Sequence, residues 1–148
     1  MNVKQGKGLI ASCRTLLRLY NEYVTQAVSE YTLSPNEVAV LSGLQTVSTA
    51  SAIAKDADVS KALVSRSVKS LKEKGLIKVD ISAIDKREQD LSLTQDGLRV
   101  AQTIEEANAR FIADMIRGNE DKGLEITCLT LALFIKNLSW GGRDEGNG

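Results

Sequence analysis

The sequence has no histidine, a single proline and only two cysteines. The missing histidine removes the commonest general base and the commonest metal ligand. Cys13 and Cys128 lie far apart and form no CxxC pair, which argues against a structural zinc site. Long hydrophobic runs are also missing. No stretch of about 18 apolar residues occurs, so no transmembrane helix and no membrane partner are expected. The first residues, MNVKQGKGLIASC, are too short and too mixed for a secretory signal, and a cytoplasmic protein is expected. There is no nucleophile elbow, no phosphate-binding glycine loop and no paired-carboxylate signature. A hydrolase would have to run on carboxylates, lysines or serines alone. No enzyme is expected, and no catalytic residue, metal ligand or cofactor is assigned.

What is present suits one soluble globular domain with a modest core: 148 residues, of which 43% are apolar and 26% charged. The formal net charge is zero, but it is unevenly spread. Between Ser60 and Arg87 stand Lys61, Arg66, Lys69, Lys72, Lys74, Lys78, Lys86 and Arg87, against only Glu73, Asp80 and Asp85. A basic segment on a neutral protein points to contact with a polyanion. The bland alternative is a solvated lysine face.

Apolar residues recur at steps of three and four through residues 8–31, at Leu9, Cys13, Leu16, Tyr20, Val24, Ala27 and Tyr31, which predicts a helix. "SPNE" at 34–37 is a capping box with proline at the first helical position, opening a helix with Val38, Leu41 and Leu44 inward. Ser48 or Thr49 can cap a short helix burying Ile53, Ala54 and Ala57. Asp58 falls in a turn, and Ser60 can cap the next helix, completing a helix-turn-helix.

At about 100° per residue, residues 60–74 place Val64, Val68 and Leu71 on one face and Ala62, Ser65, Arg66, Lys69 and Glu73 on the other. The outer face begins short and polar and ends cationic. Short side chains let a helix approach base edges, arginine pairs bidentately with guanine and lysine meets phosphate. An ordinary amphipathic surface helix would share part of this pattern. Gly75 then ends the helix as a left-handed cap would. "LIKVDIS" and "QDLSLT" read as two strands around a polar tip, "AIDKRE", where Lys86 and Arg87 can reach a minor groove or the backbone.

Thr94 is expected to cap a long helix reaching about Arg117, with Leu98, Ala101, Ile104, Ala107 or Asn108, Phe111 and Met115 along its stripe. "GNEDKG" breaks it, and a last helix carries Leu124, Cys128, Leu131, Ile135 and Leu138. The expected fold is mainly α with a small β-hairpin wing, a winged helix-turn-helix with flanking dimerisation helices. One domain spans residues 1–140, with a winged-helix core at 33–97 and flanking helices at 8–31 and 94–138. The glycine-rich tail, 141–148, is expected to be disordered. The flanking stripes are too long for a small winged module to cover, so a homodimer is expected.

The motifs "LSPNEVAVLSGL", "IAKDADVS", "ALVSRSVKSLKEKGLI", "DKR" and "LSLTQDG" occur in order from Leu33 to Gly97. In that order and spacing the chain resembles the MarR family of bacterial winged-helix transcription regulators. The resemblance implies a homodimer that binds pseudo-palindromic operators in double-stranded DNA, usually as a repressor, with release by a small aromatic ligand or by cysteine oxidation. It matches Ser60, Lys61, Ser65, Arg66 and Lys69 to the recognition helix, Arg87 to the wing arginine and Asp85 to the acid that accompanies it. Asp85 is read as orienting Arg87 through a charge-assisted hydrogen bond, the alternative being a turn residue only. The chain departs from the family at Val79, where arginine is frequent, in a wing without proline, and at Asp58, where glycine is common.

Cys13 and Cys128 fall on apolar stripes, where a free cysteine is a small hydrophobe with an unreactive thiol. An effector site would lie between the dimer helices and the winged unit, with Tyr20, Tyr23 and Tyr31 as lining candidates. The alternative to a DNA-binding regulator is a winged-helix module that binds protein, which zero net charge and Val79 favour.

Overall fold

Backbone N–H groups at a helix start need acceptors, and this chain supplies a side chain at each start that the sequence marks. The structure, a computed structural model, describes residues 2–81 and 89–141. Asn2 caps α1 (Val3–Ala27) by accepting from Gln5 N–H at 3.3 Å. The helix thus begins before the expected residue 8. It also stops at Ala27, where Val28 leads into a turn of 3-10 helix, Ser29–Tyr31. Ser34 and Glu37 form the expected capping box of α2 (Pro35–Gly43). Thr49, rather than Ser48, caps α3 (Ala50–Asp56), and Ser60 caps α4 (Lys61–Glu73). Between α3 and α4, Asp58 takes the left-handed conformation at φ +52°, as its short polar side chain allows. Gly75, at φ +73°, ends α4 in the same way.

β1 (Ile77–Ile81) and β2 (Gln89–Leu93) pair antiparallel, with Ile77 opposite Leu93 and Val79 opposite Leu91. The tip that holds Asp85, Lys86 and Arg87 lies outside the described residues. On its other side β2 meets the segment before α3: Leu91 N–H donates to Ser48 O at 2.7 Å, and Thr49 bridges Asp90. Nothing in the sequence pattern marked this third arm of the sheet.

α5 (Gln95–Met115) follows at once. Thr94 Oγ1 accepts from Gly97 N–H at 3.0 Å and donates to Gly75 O at 2.7 Å, while Thr94 N–H donates to Leu76 O at 3.1 Å. Gly97 is forced by this close approach, because a Cβ there would sit 1.9 Å from Leu76 O. The approach also sets the phase of α5. Gly97, Val100, Ala101, Ile104 and Ala107 face inward, and Leu98, about 100° round from Gly97, is left 47% exposed. The expected stripe was right at Ala101, Ile104 and Ala107, reaches a half-buried Phe111, and was wrong at Leu98, whose place Val100 takes, and at Met115, which is exposed.

The described residues form two compact units divided between Phe111 and Ile112. The first is built on one core. Val24 and Val28, Val38 and Leu41, Ile53, Val64, Val68 and Leu71, Leu76 and Leu91, and Val100 and Ile104 pack together, so every element of this unit contributes. The outer half of α1 does not take part: Leu9, Leu16 and Cys13 are exposed. In the second unit Gly118, at φ +80°, turns the chain into α6 (Glu120–Gly141). Of the stripe expected there, Leu124 and Leu131 are half-buried, whereas Cys128 and Ile135 are exposed and Leu138 is 80% exposed. Both cysteines are therefore exposed in the single chain, contrary to the buried state their stripes suggested. Residues 142–148 lie outside the described residues. No helix among the described residues is long and apolar enough to cross a membrane.

Candidate nucleic-acid interface

α4 divides as the sequence predicts. Val64, Val68 and Leu71 are buried beneath it, and Ser67 joins them despite its hydroxyl. Ser60, Lys61, Ala62, Ser65, Arg66, Lys69 and Glu73 are all exposed. Lys61, Arg66 and Lys69 make no ion pair or side-chain hydrogen bond with any described residue, so their donors face solvent. The two serines are less free. Ser60 Oγ accepts from Leu63 N–H at 3.2 Å, which leaves its proton available to an acceptor beyond the helix. Ser65 Oγ donates to Lys61 O at 3.0 Å, so its lone pairs are what it presents outward. The structure thus brings Ser60, Lys61, Ser65, Arg66 and Lys69 onto one face. Lys86, Arg87 and Asp85 lie outside the described residues. Val79 is half-buried against the core.

The underside of α4 holds a polar cluster that the sequence marked only in part. Glu37 is the capping-box acid of α2, yet it is 5% exposed and reaches across to α4. One carboxylate oxygen, Oε2, accepts from Ser34 N–H at 2.7 Å. The other, Oε1, accepts from Ser70 Oγ and from Lys74 Nζ, the latter at 3.0 Å. Lys74 Nζ also donates to Thr32 O at 3.0 Å, and Thr32 is itself left-handed at φ +50°. Burial pushes the Glu37 carboxyl upward, but the hydrogen bonds from Ser34, Ser70 and Lys74 and the charge of Lys74 outweigh it, so the group lies below the usual glutamate range. The spacing S-x-x-E reveals the cap; nothing in the sequence reveals that Ser70 and Lys74 share its acid.

A cleft of about 690 Å³ opens between α1, α2 and the turn joining α3 to α4. Tyr20, Val24, Val38, Ser42, Asp56, Asp58 and Asn108 line it. Of the three tyrosines considered, only Tyr20 does so. Tyr23 packs on Phe111 at 5.6 Å between ring centroids, and Tyr31 packs against the core from the 3-10 turn. Tyr20 Oη donates to Asn108 Oδ1 at 2.9 Å, and its ring meets Phe111 edge-on at 5.5 Å. Burial, and then the Glu105 carboxylate, raise the Tyr20 phenol above its ordinary range, so it serves as a neutral donor. The cleft is lined by two carboxylates and by no lysine or arginine, and Ser42 Oγ is buried without a hydrogen-bond partner among the described residues.

No family model matches the sequence, and no curated protein matches it. Solved structures do match its fold. The chain is similar to a MarR protein from Peptoclostridium difficile, with a TM-score of 0.80 at 20% identity over 88% of this chain and 86% of that one. Its similarity to a MarR transcriptional regulator from Methanosarcina mazei gives a TM-score of 0.76 at 15% identity, covering 90% and 98% of the two chains. A third similar structure, MepR of S. aureus in complex with DNA, has a TM-score of 0.75 at 17% identity over 86% of this chain and 96% of that one. The architecture is that of the MarR-type winged-helix transcription regulators.

Proposed function

We propose that this chain, with its MarR-type fold, is a homodimeric DNA-binding transcription regulator that represses at a pseudo-palindromic operator. One observation carries the proposal: α4 turns Ser65, Arg66 and Lys69 outward and exposed, with Arg66 and Lys69 unpaired among the described residues, above the buried Val64, Val68 and Leu71. Arg66 reads guanine edges in the major groove, Lys61 and Lys69 take phosphates, and Lys86 and Arg87 meet the duplex from the wing with Asp85 orienting Arg87. The homodimer accounts for the apolar residues that a single chain leaves in water: Leu9, Ile10, Leu16 and Leu17 on α1, and Ile126, Leu129, Leu133 and Leu138 on α6. Two copies then present two α4 helices to successive major grooves, one turn of duplex apart.

Release by a small ligand belongs to the same proposal. The cleft beside Tyr20 offers an unsatisfied hydroxyl and two carboxylates, which suits a neutral or cationic aromatic molecule better than an aromatic acid. Selection of bound duplexes from a random pool, at low and then rising salt, tests the DNA reading. Enrichment of a pseudo-palindrome with steep salt dependence is expected. Absence of any duplex binding at low salt would instead favour the protein-interaction module that Val79 and the zero net charge suggest.

A further inference from the structure

We infer that Glu37 is a positioning residue for base readout: it fixes the roll of α4 through Ser70 and Lys74. The inference rests on the DNA-binding function proposed above.

Apolar packing holds α4 down but does not aim it. Val64, Val68 and Leu71 rest on the core through contacts that have no direction, and a helix rolled slightly about its axis would keep most of them. Bidentate pairing of a guanidinium with a base edge is less forgiving, because both hydrogen bonds depend on one angle. Something directional has to set that angle. Among the described residues, the side-chain hydrogen bonds that tie α4 and its C-cap to another part of the chain are made by Ser70 and Lys74.

Their placement suits the task. Counting about 100° per residue, Ser70 lies roughly 40° round the helix from Arg66 and Lys74 roughly 80°. Both sit on the shoulder between the outward and the buried faces, where a tether opposes rolling most directly. Both donate to the same oxygen of Glu37, and the other oxygen is held by Ser34 N–H, so the carboxylate cannot swing to follow a rolling helix. The acid itself sits in the first turn of α2, where Ser34 Oγ in turn accepts from Glu37 N–H at 3.2 Å. Through Thr32 O, Lys74 also ties the segment entering α2 to the same point.

Glu37→Gln separates this role from simple electrostatics. It removes a negative charge near a DNA-binding face, which by charge alone strengthens binding to every duplex. Loss of the tether instead weakens binding to the operator and leaves random duplex unaffected. The parent chain, Glu37→Gln, Lys74→Met and Lys74→Arg are compared at full length. Circular dichroism establishes that each is folded. Affinities for the selected operator and for random duplex are measured across salt, and amide exchange of α4 is followed without DNA.

Glu37→Gln and Lys74→Met are expected to lower the operator-to-random ratio by about tenfold, with Lys74→Arg restoring it. Amides in the last two turns of α4 should exchange faster in both weakened variants, with α5 unchanged. An unchanged ratio in Glu37→Gln, or unchanged exchange in α4, overturns the inference. So does a salt slope that falls by about one in Lys74→Met, since that marks Lys74 as a phosphate contact instead. If Glu37→Gln does not fold, the Lys74 pair decides. If the parent prefers no duplex, the DNA-binding function fails, and amide exchange alone decides whether the tether exists.

Discussion

Replacing Gly97 with alanine should cost about 1–3.5 kcal/mol of stability, a large fraction of what a domain of this size holds. The added Cβ would lie 1.9 Å from Leu76 O and 2.9 Å from the Leu76 carbonyl carbon. A tolerable carbon–oxygen approach is about 3.3 Å, so one of the two backbones has to retreat by roughly 1.4 Å. No rotamer relieves the clash, because both partners are main chain. Overpacking of this kind costs about 1–3 kcal/mol. The retreat also stretches the bond from Thr94 N–H to Leu76 O, now 3.1 Å, which adds about 1 kcal/mol. Alanine returns about 0.4–1 kcal/mol by restricting the unfolded chain. Urea unfolding at fixed protein concentration is the assay, since the stability of a dimer varies with concentration. With a slope near 2 kcal/mol per molar urea, the midpoint should fall by about 0.5–1.8 M. A midpoint lowered by less than about 0.2 M would refute the reasoning, and with it the claim that the junction of hairpin and α5 is set by a backbone contact.

Three further outcomes are expected. Gly6→Ala, at an exposed position in α1 where a Cβ meets nothing within 4 Å, should raise the stability by about 0.5–1 kcal/mol in the same urea assay. Arg66→Ala should weaken operator binding by roughly 1–3 kcal/mol and relax specificity, whereas Lys69→Ala should weaken binding to all duplexes evenly and lower the salt slope by about one in fluorescence titrations. Because Glu37 is held below its unfolded range, its contribution is fully present above the ordinary glutamate pKa of about 4.3 and is lost as pH falls through the folded value. The stability gap between the parent and Glu37→Gln should therefore be constant from neutral pH to about pH 5.5 and narrow below about pH 4.5, followed by urea unfolding at each pH.

Much of this was legible because it is local. Ser34, Ser60 and Thr94 mark helix starts through their own backbone neighbours, and Gly75 and Asp58 mark turns through the φ they accept. The division of α4 follows from periodicity alone. What escaped depends on residues distant in sequence. Leu98 reads as core by spacing, but the phase of α5 is set by Gly97 against Leu76, a contact no periodicity encodes. Ser70 and Lys74 look like any polar pair one turn apart until Glu37 is brought beneath them. Cys13 lies on a genuine apolar stripe, yet the stripe outruns the core, and its outer half stays in water within one chain.

The arrangement of β2 between β1 and the Ser48–Thr49 segment bears on how the protein keeps to itself at high concentration. With β2 enclosed, the open rim of this small sheet among the described residues is β1, and it carries Lys78 and Asp80, both facing water. A foreign strand adding there would have to strip solvent from two opposite charges for a gain of only a few ladder bonds. Charges placed so on the open edge of a sheet disfavour the addition of another strand there.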